Sequence, residues 1–166
     1  MPGLRPNTGA AYKRGQSTQE YVTPDDFMAA VIKRFGQPDF DLAATAANSK
    51  AGAKYFGIEH DALDQSWVGV GQLLWLNPPF NLIAPWAEKC ASESRAGAGK
   101  ILFLTPASVG SNWYRDYVHQ RAHVIFLNGR ITFDPNHPDW GYPKDTMLAC
   151  YGFKPGFEVW TWGQTA

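Results

Sequence analysis

The stretch of this sequence best equipped for chemistry is Asn77-Pro78-Pro79-Phe80. Two prolines fix the backbone and remove two N–H donors, yet Pro78 keeps its carbonyl as an acceptor. Asn77 adds a side-chain carbonyl, and Phe80 adds a flat apolar face. Two acceptors beside an aromatic ring suit the gripping of an NH2 group on a planar ring. Such an amine is a poor nucleophile, because its lone pair is delocalised into the ring. Hydrogen bonds from both its hydrogens draw it toward tetrahedral geometry and free that pair. Stacking on Phe80 would hold the ring, worth about 1–3 kcal/mol per base. An asparagine amide is no useful base at neutral pH, so the amine proton would leave to water after transfer. The plain alternative is a rigid strand-to-helix turn without chemistry, since Pro-Pro turns are common. The apolar run Leu73-Leu74-Trp75-Leu76 directly before it favours the chemical role.

The elements that must position this turn are legible around it. Residues 72–76 read as a strand buried on both faces. After the turn, Ile83, Trp86, Ala87, Cys90, Ala91 and Ser94 share one helical face, closed by Gly97 and Gly99. Upstream, Thr23-Pro24-Asp25-Asp26 predicts a helix start: a hydroxyl N-cap, proline at the first position and carboxylates against the positive helix end. Phe27, Ala30, Val31 and Arg34 follow at helical spacing, with Met28, Ile32 and Phe35 beside them. The helix spans 24–35, with Gly36 as a left-handed stop. Residues 40–44 read as a short strand, 46–56 as a short helix or a loop, 101–104 as a strand, 112–120 as helical and 124–127 as a strand. Asn128-Gly129 is a turn signal before Ile131-Thr132-Phe133. Residues 147–151 and 158–162 close the chain as strands. Residues 1–18 read as a flexible leader and 19–166 as one domain.

That order predicts an α/β fold with a mostly parallel sheet and antiparallel C-terminal strands. Ligands of such sheets bind beyond the carboxyl ends of the strands. Asp41, Asn77 and Thr105 stand at three of those ends and are candidates for one shared pocket.

Composition narrows the function classes. The chain has 166 residues, 15 Lys plus Arg and 15 Asp plus Glu, for a formal net charge of zero. Hydrophobic residues are 45%, aromatic 14% and charged 18%, which excludes a disordered chain and a uniformly basic nucleic-acid binder. A local basic face stays open: Lys13, Arg14, Lys33, Arg34, Lys50 and Lys54 could form one, or be scattered solvated charges. No apolar run reaches the ~18 residues of a membrane span, and residues 1–15 do not resemble a secretory signal. Cys90 and Cys150 read as buried thiols. His119 and His123 are four apart but lack a third partner at metal-ligand spacing, so no metal site is expected, and His60 and His137 add none. Trp75 and Trp86 read as core.

The sequence resembles the phage-type, Dam-like DNA N6-adenine methyltransferase family over about residues 19 to 134. The resemblance is carried in order by Gln19 to Pro24, Phe35-Gly36, Phe40 to Ala44 with Asn48, and Asp61-Ala62-Leu63 with Trp67. It continues through Trp75 to Phe80, Pro85-Trp86, Leu104 to Ala107, Trp113-Tyr114 and Gly129 to Phe133. It implies a single-domain Rossmann-like methyltransferase fold and transfer of a methyl group from S-adenosylmethionine to the exocyclic amine of adenine in DNA. By the same resemblance Asn77 and Pro78 would grip that amine, Pro79 would shape the loop and Phe80 would stack on the base. Asp41 and Ala43 would lie near the methionine part of the cofactor, and Asp61 with Leu63 near its adenine. Tyr21 and Thr23 would close the pocket. The family's setting implies the cytoplasm of a phage's bacterial host.

Two departures mark the chain. A glycine-rich loop after the first strand is replaced by Asp41-Leu42-Ala43-Ala44, and only Glu59 offers itself as an acid for the cofactor ribose. The length has no room for a separate recognition domain. Residues 134–144, following Arg130 and carrying His137 and Trp140, are the substitute, with Arg130 and Trp140 as substrate-binding candidates. Neutral charge and short length together predict modest, salt-sensitive DNA affinity. They also predict loose sequence selection or help from a second subunit in a homodimer. Asn-Pro-Pro-aromatic also suits cytosine N4 or a protein glutamine amide as acceptor, and a non-catalytic nucleic-acid-binding protein is the alternative from another class.

Overall fold

A computed structural model describes residues 22–164. The first helix, α1, spans Asp25–Phe35 and buries Phe27, Met28 and Val31. Its capping residue is Pro24, and no side chain caps it. Thr23 is therefore not the predicted N-cap; its hydroxyl is used elsewhere. Gly36 ends the helix at φ 98° and ψ 171°, an extended glycine conformation rather than the predicted left-handed helical one.

The remaining regular elements are β1 (Phe40–Asp41), β2 (Leu73–Leu76), α2 (Ala84–Ala96), β3 (Lys100–Pro106), β4 (His123–Asn128), β5 (Thr146–Tyr151) and β6 (Gly156–Thr161). The six strands form one sheet in the order β1-β2-β3-β5-β4-β6. β1, β2 and β3 are parallel to one another, whereas β5 is antiparallel to both β3 and β4. β6 pairs with β4 in parallel. Only one of the two C-terminal strands thus runs against its neighbours, because the β5–β6 connection straddles β4 instead of closing a hairpin.

Alternation along the strands splits the interior into two layers. Trp75, Leu102, Leu104, Ile125, Leu148 and Cys150 pack with Phe27, Met28 and Val31 on the α1 face. Leu74, Leu76, Ile101, Phe103, Val124, Met147 and Ala149 pack with Ala87, Cys90 and Ala91 on the α2 face. Both cysteines are buried free thiols.

Several local readings resolve in ways that short sequence windows do not reveal. Residues 46–56 form turns, and Tyr55 then makes a parallel bridge to Asp41. Residues 112–120, expected to be helical, contain a five-residue π-helix, Tyr114–Val118. Residues 131–133 form no strand; Ile131 and Phe133 instead pack into the layer on the α1 face. At the far edge, Glu158 of β6 pairs with Arg34 of α1 and with His123 Nε2 of β4, the latter at 2.7 Å. No helix among the described residues is long and apolar enough to cross a membrane.

Candidate active site

β1 and β2 run side by side, with Asp41 opposite Trp75, so their carboxyl ends open at one edge. Asp41 and Trp75 face α1, and two residues beyond Trp75 so does Asn77. The Asn77 Nδ2 donates to Thr23 Oγ1 at 2.9 Å. That bond anchors the amide from the segment before α1 and directs its carbonyl oxygen away from Thr23.

The Asp41 carboxylate is 2% exposed. Its Oδ1 accepts from the Ala43 N–H at 3.2 Å and its Oδ2 from the Lys50 N–H at 2.9 Å. These bonds close the loop between Ala43 and Lys50 over the strand end. Asp41's backbone N–H donates to Lys54 O, and its carbonyl accepts from Phe56 N–H, both at 2.9 Å, so the returning segment is fixed as well. Burial pushes the Asp41 pKa up to about 6, against the lowering effect of the two N–H donors and the Lys50 charge.

Two hollows meet at Ala43. A polar niche of ≈ 20 Å³ is lined by Thr23, Asp41, Asn48, Lys50, Trp75 and Asn77, among others. A cavity of ≈ 290 Å³ opens nearby, walled by Leu42, Ala44, Phe56, Ile58, Leu63 and Trp86, with Pro79 and Asp61 also on its surface. Asp61 sits at φ 44°, the left-handed end of a short 3-10 turn, Ile58–His60.

Most of the predicted residues converge here. Pro78 is buried beside Asn77, and Pro79 connects the turn to the cavity wall. Thr23, Asp41 and Ala43 line the niche, and Asp61 and Leu63 line the cavity. Phe80 stands edge to face with Phe133 at 5.5 Å between ring centres. Tyr21 lies outside the described residues, as do Lys13, Arg14 and residues 1–18. Glu59 is exposed beside the cavity-lining Gly57 and Ile58.

Thr105 does not join this pocket. It is fully buried, and its hydroxyl oxygen has no hydrogen-bond partner among the described residues. Alternation on β3 turns Thr105 to the α2 layer with Ile101 and Phe103, whereas Asp41 and Asn77 face α1. Arg130 and Trp140 are also not brought to the Asn77 turn. Arg130 is half-exposed, pairs with Asp145 at 3.2 Å and borders a separate hollow of ≈ 250 Å³ with Asn128, Lys144 and Thr146. Trp140 is exposed on the loop after Phe133, stacked on His137 with ring centres 4.0 Å apart.

The sequence reading missed Trp86 as a cavity wall, together with Asn81, Leu82 and Pro85. The signal available was their place just after the Asn77 turn, Asn81 and Leu82 before α2 and Pro85 and Trp86 in its first turn. Lys50 does not form a basic edge with Arg34: Lys50 Nζ faces Asp25 Oδ1 at 3.7 Å, and Arg34 is paired with Glu158. His119 and His123 part company too, His119 stacking between Tyr114 and Phe157 while His123 bonds Glu158. Among the described residues, no group of three or more His, Cys, Asp or Glu side chains could hold a metal ion.

This arrangement can hold a polar, charged group in the niche, a larger apolar or aromatic group in the cavity, and a planar amine at Asn77. Residues 13–147 match the model of the family described as DNA N-6-adenine-methyltransferase (Dam). The chain is similar to a DNA N-6-adenine-methyltransferase of Escherichia phage T1, 29% identical over 163 residues, covering 95% of this chain and 66% of that protein. It is also similar to a DNA N-6-adenine-methyltransferase of Haemophilus phage HP1 (strain HP1c1), 24% identical over 99 residues, 59% of this chain and 56% of that one. It thus spans just under two thirds of one curated relative and just over half of the other. A family match over most of the chain, on a mixed α/β sheet with Asn77-Pro78-Pro79-Phe80 at its carboxyl edge, leads to one assignment: the chain belongs to the Dam family of DNA N-6-adenine-methyltransferases.

Proposed function

We propose that this chain, as a Rossmann-like methyltransferase domain, transfers a methyl group from S-adenosylmethionine to the N6 amine of adenine in DNA. Beyond family membership, one observation carries the reading. The Asn77 amide, anchored by Thr23, lines the niche that holds the Asp41 carboxylate, and that niche shares Ala43 with the large apolar cavity.

S-adenosylmethionine, when bound, supplies an electrophilic methyl group on a sulfonium. The residues present fit that donor. Asp41 offers a negative charge to its ammonium group, while Lys50 and Asn48 stand in the same niche for its carboxylate. The cavity walled by Leu42, Phe56, Leu63 and Trp86 suits its purine ring, with Asp61 as the polar group at that wall. The small side chain of Ala43, where the hollows meet, leaves room for a ligand to pass between them.

The acceptor base is held by Phe80 and by the two carbonyl oxygens of Asn77 and Pro78. Both hydrogens of the adenine amine are donated to those oxygens, which localises the nitrogen lone pair for in-line attack on the methyl carbon. With the donor bound, its methyl would pass to the amine held by Asn77 and Pro78 as a neutral thioether leaves, and the proton released from the amine would pass to water. A base inside a duplex cannot reach a recessed strand end, so the adenine must leave the stack. Arg130 and Trp140 would then meet the DNA beside the target, in the cytoplasm of a phage's bacterial host. A homodimer would supply further DNA contacts.

The experiment is methyl transfer from labelled S-adenosylmethionine to DNA, followed by nucleoside analysis. Label in N6-methyladenine is the expected result. Label in N4-methylcytosine, or in added protein, would transfer the mechanism to another planar amine. Nucleic-acid binding with neither label nor donor binding would leave a non-catalytic binder.

A further inference from the structure

Three aromatic rings tie the Asn77 turn to the loop that follows β4. Phe80, Phe133 and Tyr142 stand edge to face in all three pairings, with centres 5.5, 5.4 and 5.7 Å apart and interplanar angles of 87°, 71° and 84°. The geometry is directional, because ring edges are positive and ring faces negative. Phe133 is buried, and Phe80 and Tyr142 are partly buried.

Phe133 and Tyr142 bracket residues 134–141, and that loop is built rather than slack. The Tyr142 N–H donates to Ile131 O at 2.7 Å, and Thr132 Oγ1 donates to Pro138 O at 3.3 Å. Inside it, Asp134 accepts from the Asn136 N–H at 2.9 Å and bonds His137 Nδ1 at 2.7 Å. Its outer end presents the stacked His137–Trp140 pair, with Trp140 66% exposed. An exposed aromatic pair on a braced loop is a surface for nucleic-acid bases. Its two feet are the rings that pack on Phe80.

We propose that Phe133 and Tyr142 are positioning residues that set the Phe80 ring for the acceptor base. Residues 134–141 thereby become a specificity loop that acts on turnover through Phe80. This rests on the methyltransferase reading above. A loop engaged with the right sequence holds its feet, and hence Phe80, in register for the base. A loop displaced by the wrong sequence shifts all three rings together. A small misplacement of a group that orients a substrate costs up to about a hundredfold in rate.

A double-mutant cycle tests the coupling, using the full chain and S-adenosylmethionine, with turnover read on DNA carrying adenine at the methylated position and base extrusion read separately on the same DNA with 2-aminopurine there. Tyr142→Ala should lower turnover about ten- to a hundredfold and reduce the 2-aminopurine fluorescence gain on binding. In the Phe80→Ala background the same change should cost less than about twofold, and Tyr142→Phe should restore turnover. Equal losses in both backgrounds would overturn the positioning role and leave the methyltransferase reading standing. A wild-type protein that puts no methyl on DNA adenine would overturn that reading, and this inference with it. Should Tyr142→Ala not fold, Tyr142→Leu replaces it in the cycle, with the same expectations.

Discussion

The niche beside Asp41 and Asn77 holds ≈ 20 Å³, and the cavity across Ala43 holds ≈ 290 Å³. In the niche, Asp41 is bonded to two backbone N–H groups and Asn77 to Thr23, so these polar side chains are oriented before any ligand arrives. In the cavity, apolar walls such as Leu63 and Trp86 offer area rather than direction. A methyl transfer needs atoms aligned at one point and a bulky donor held somewhere near it. Under the proposed reaction the two demands would be separated: the niche would supply angle, and the cavity would supply grip.

The sharpest way to break that comparison is Asn77→Ala. Turnover should fall about a thousandfold, the scale of losing a group that acts mainly in the transition state, while the donor dissociation constant stays within about threefold. Labelled methyl incorporation and calorimetry read the two quantities separately. Trp86→Ala should do the reverse. It should weaken donor binding about ten- to a hundredfold, the worth of a lost apolar wall, with turnover at saturating donor nearly unchanged. A loss of turnover at saturation would show that the cavity also sets angle.

Asp41 sharpens the comparison through pH. Its carboxyl is raised to about 6, so it is ionised above that value and neutral below it. An ammonium group gains from it only when it is ionised. Donor affinity should therefore be flat above about pH 7 and fall by roughly tenfold per unit well below pH 6. Asp41→Asn should be weaker above that pH, where the wild-type carboxyl is ionised, and its step should vanish in the same titration. Folding stability should respond with the opposite sign. A carboxyl raised from 3.8 to about 6 binds its proton more tightly in the folded state, so its contribution falls as pH rises across that window. The smallest expected effect is that of Thr23→Val, which keeps shape but removes the acceptor for Asn77. About 1 kcal/mol of orientation, roughly fivefold in turnover, should go, with donor affinity intact. A change in affinity instead would place Thr23 with the donor rather than with the amide.

The parts of this site legible in sequence are those written in contiguous residues. The Asn77 turn follows an uninterrupted apolar run, and Asp41 follows Phe40 at a strand end, so residue order marks both as strand-end candidates, while the role of Asp41 toward the donor rests on family likeness. Asp61 and Leu63 came from family likeness, and spacing held no trace of them. What escaped was decided by long-range geometry. Thr23 looked like a helix cap because local rules score it against α1, whereas its hydroxyl meets a side chain 54 residues away. Trp86 fell on the buried stripe of a helix, and periodicity cannot show that the first turn of α2 borders a cavity. Thr105 shared the strand-end position of Asp41 and Asn77 but not their face, a matter of one residue in register. The place of β5 between β3 and β4 has no local signature at all.

One feature at the opposite end of the sheet bears on how the protein behaves in a tube. β6 ends the sheet, and its outer face exposes Phe157 and Val159, the profile of a strand that invites another strand to dock. Between those two residues sits Glu158, tethered inward by Arg34 and His123. A strand added at this edge would have to lie beside a carboxylate, a known deterrent to edge-to-edge stacking. A charge remote from the Asn77 turn thus guards this edge, and Glu158→Val should trade a clear concentrated solution for a turbid one.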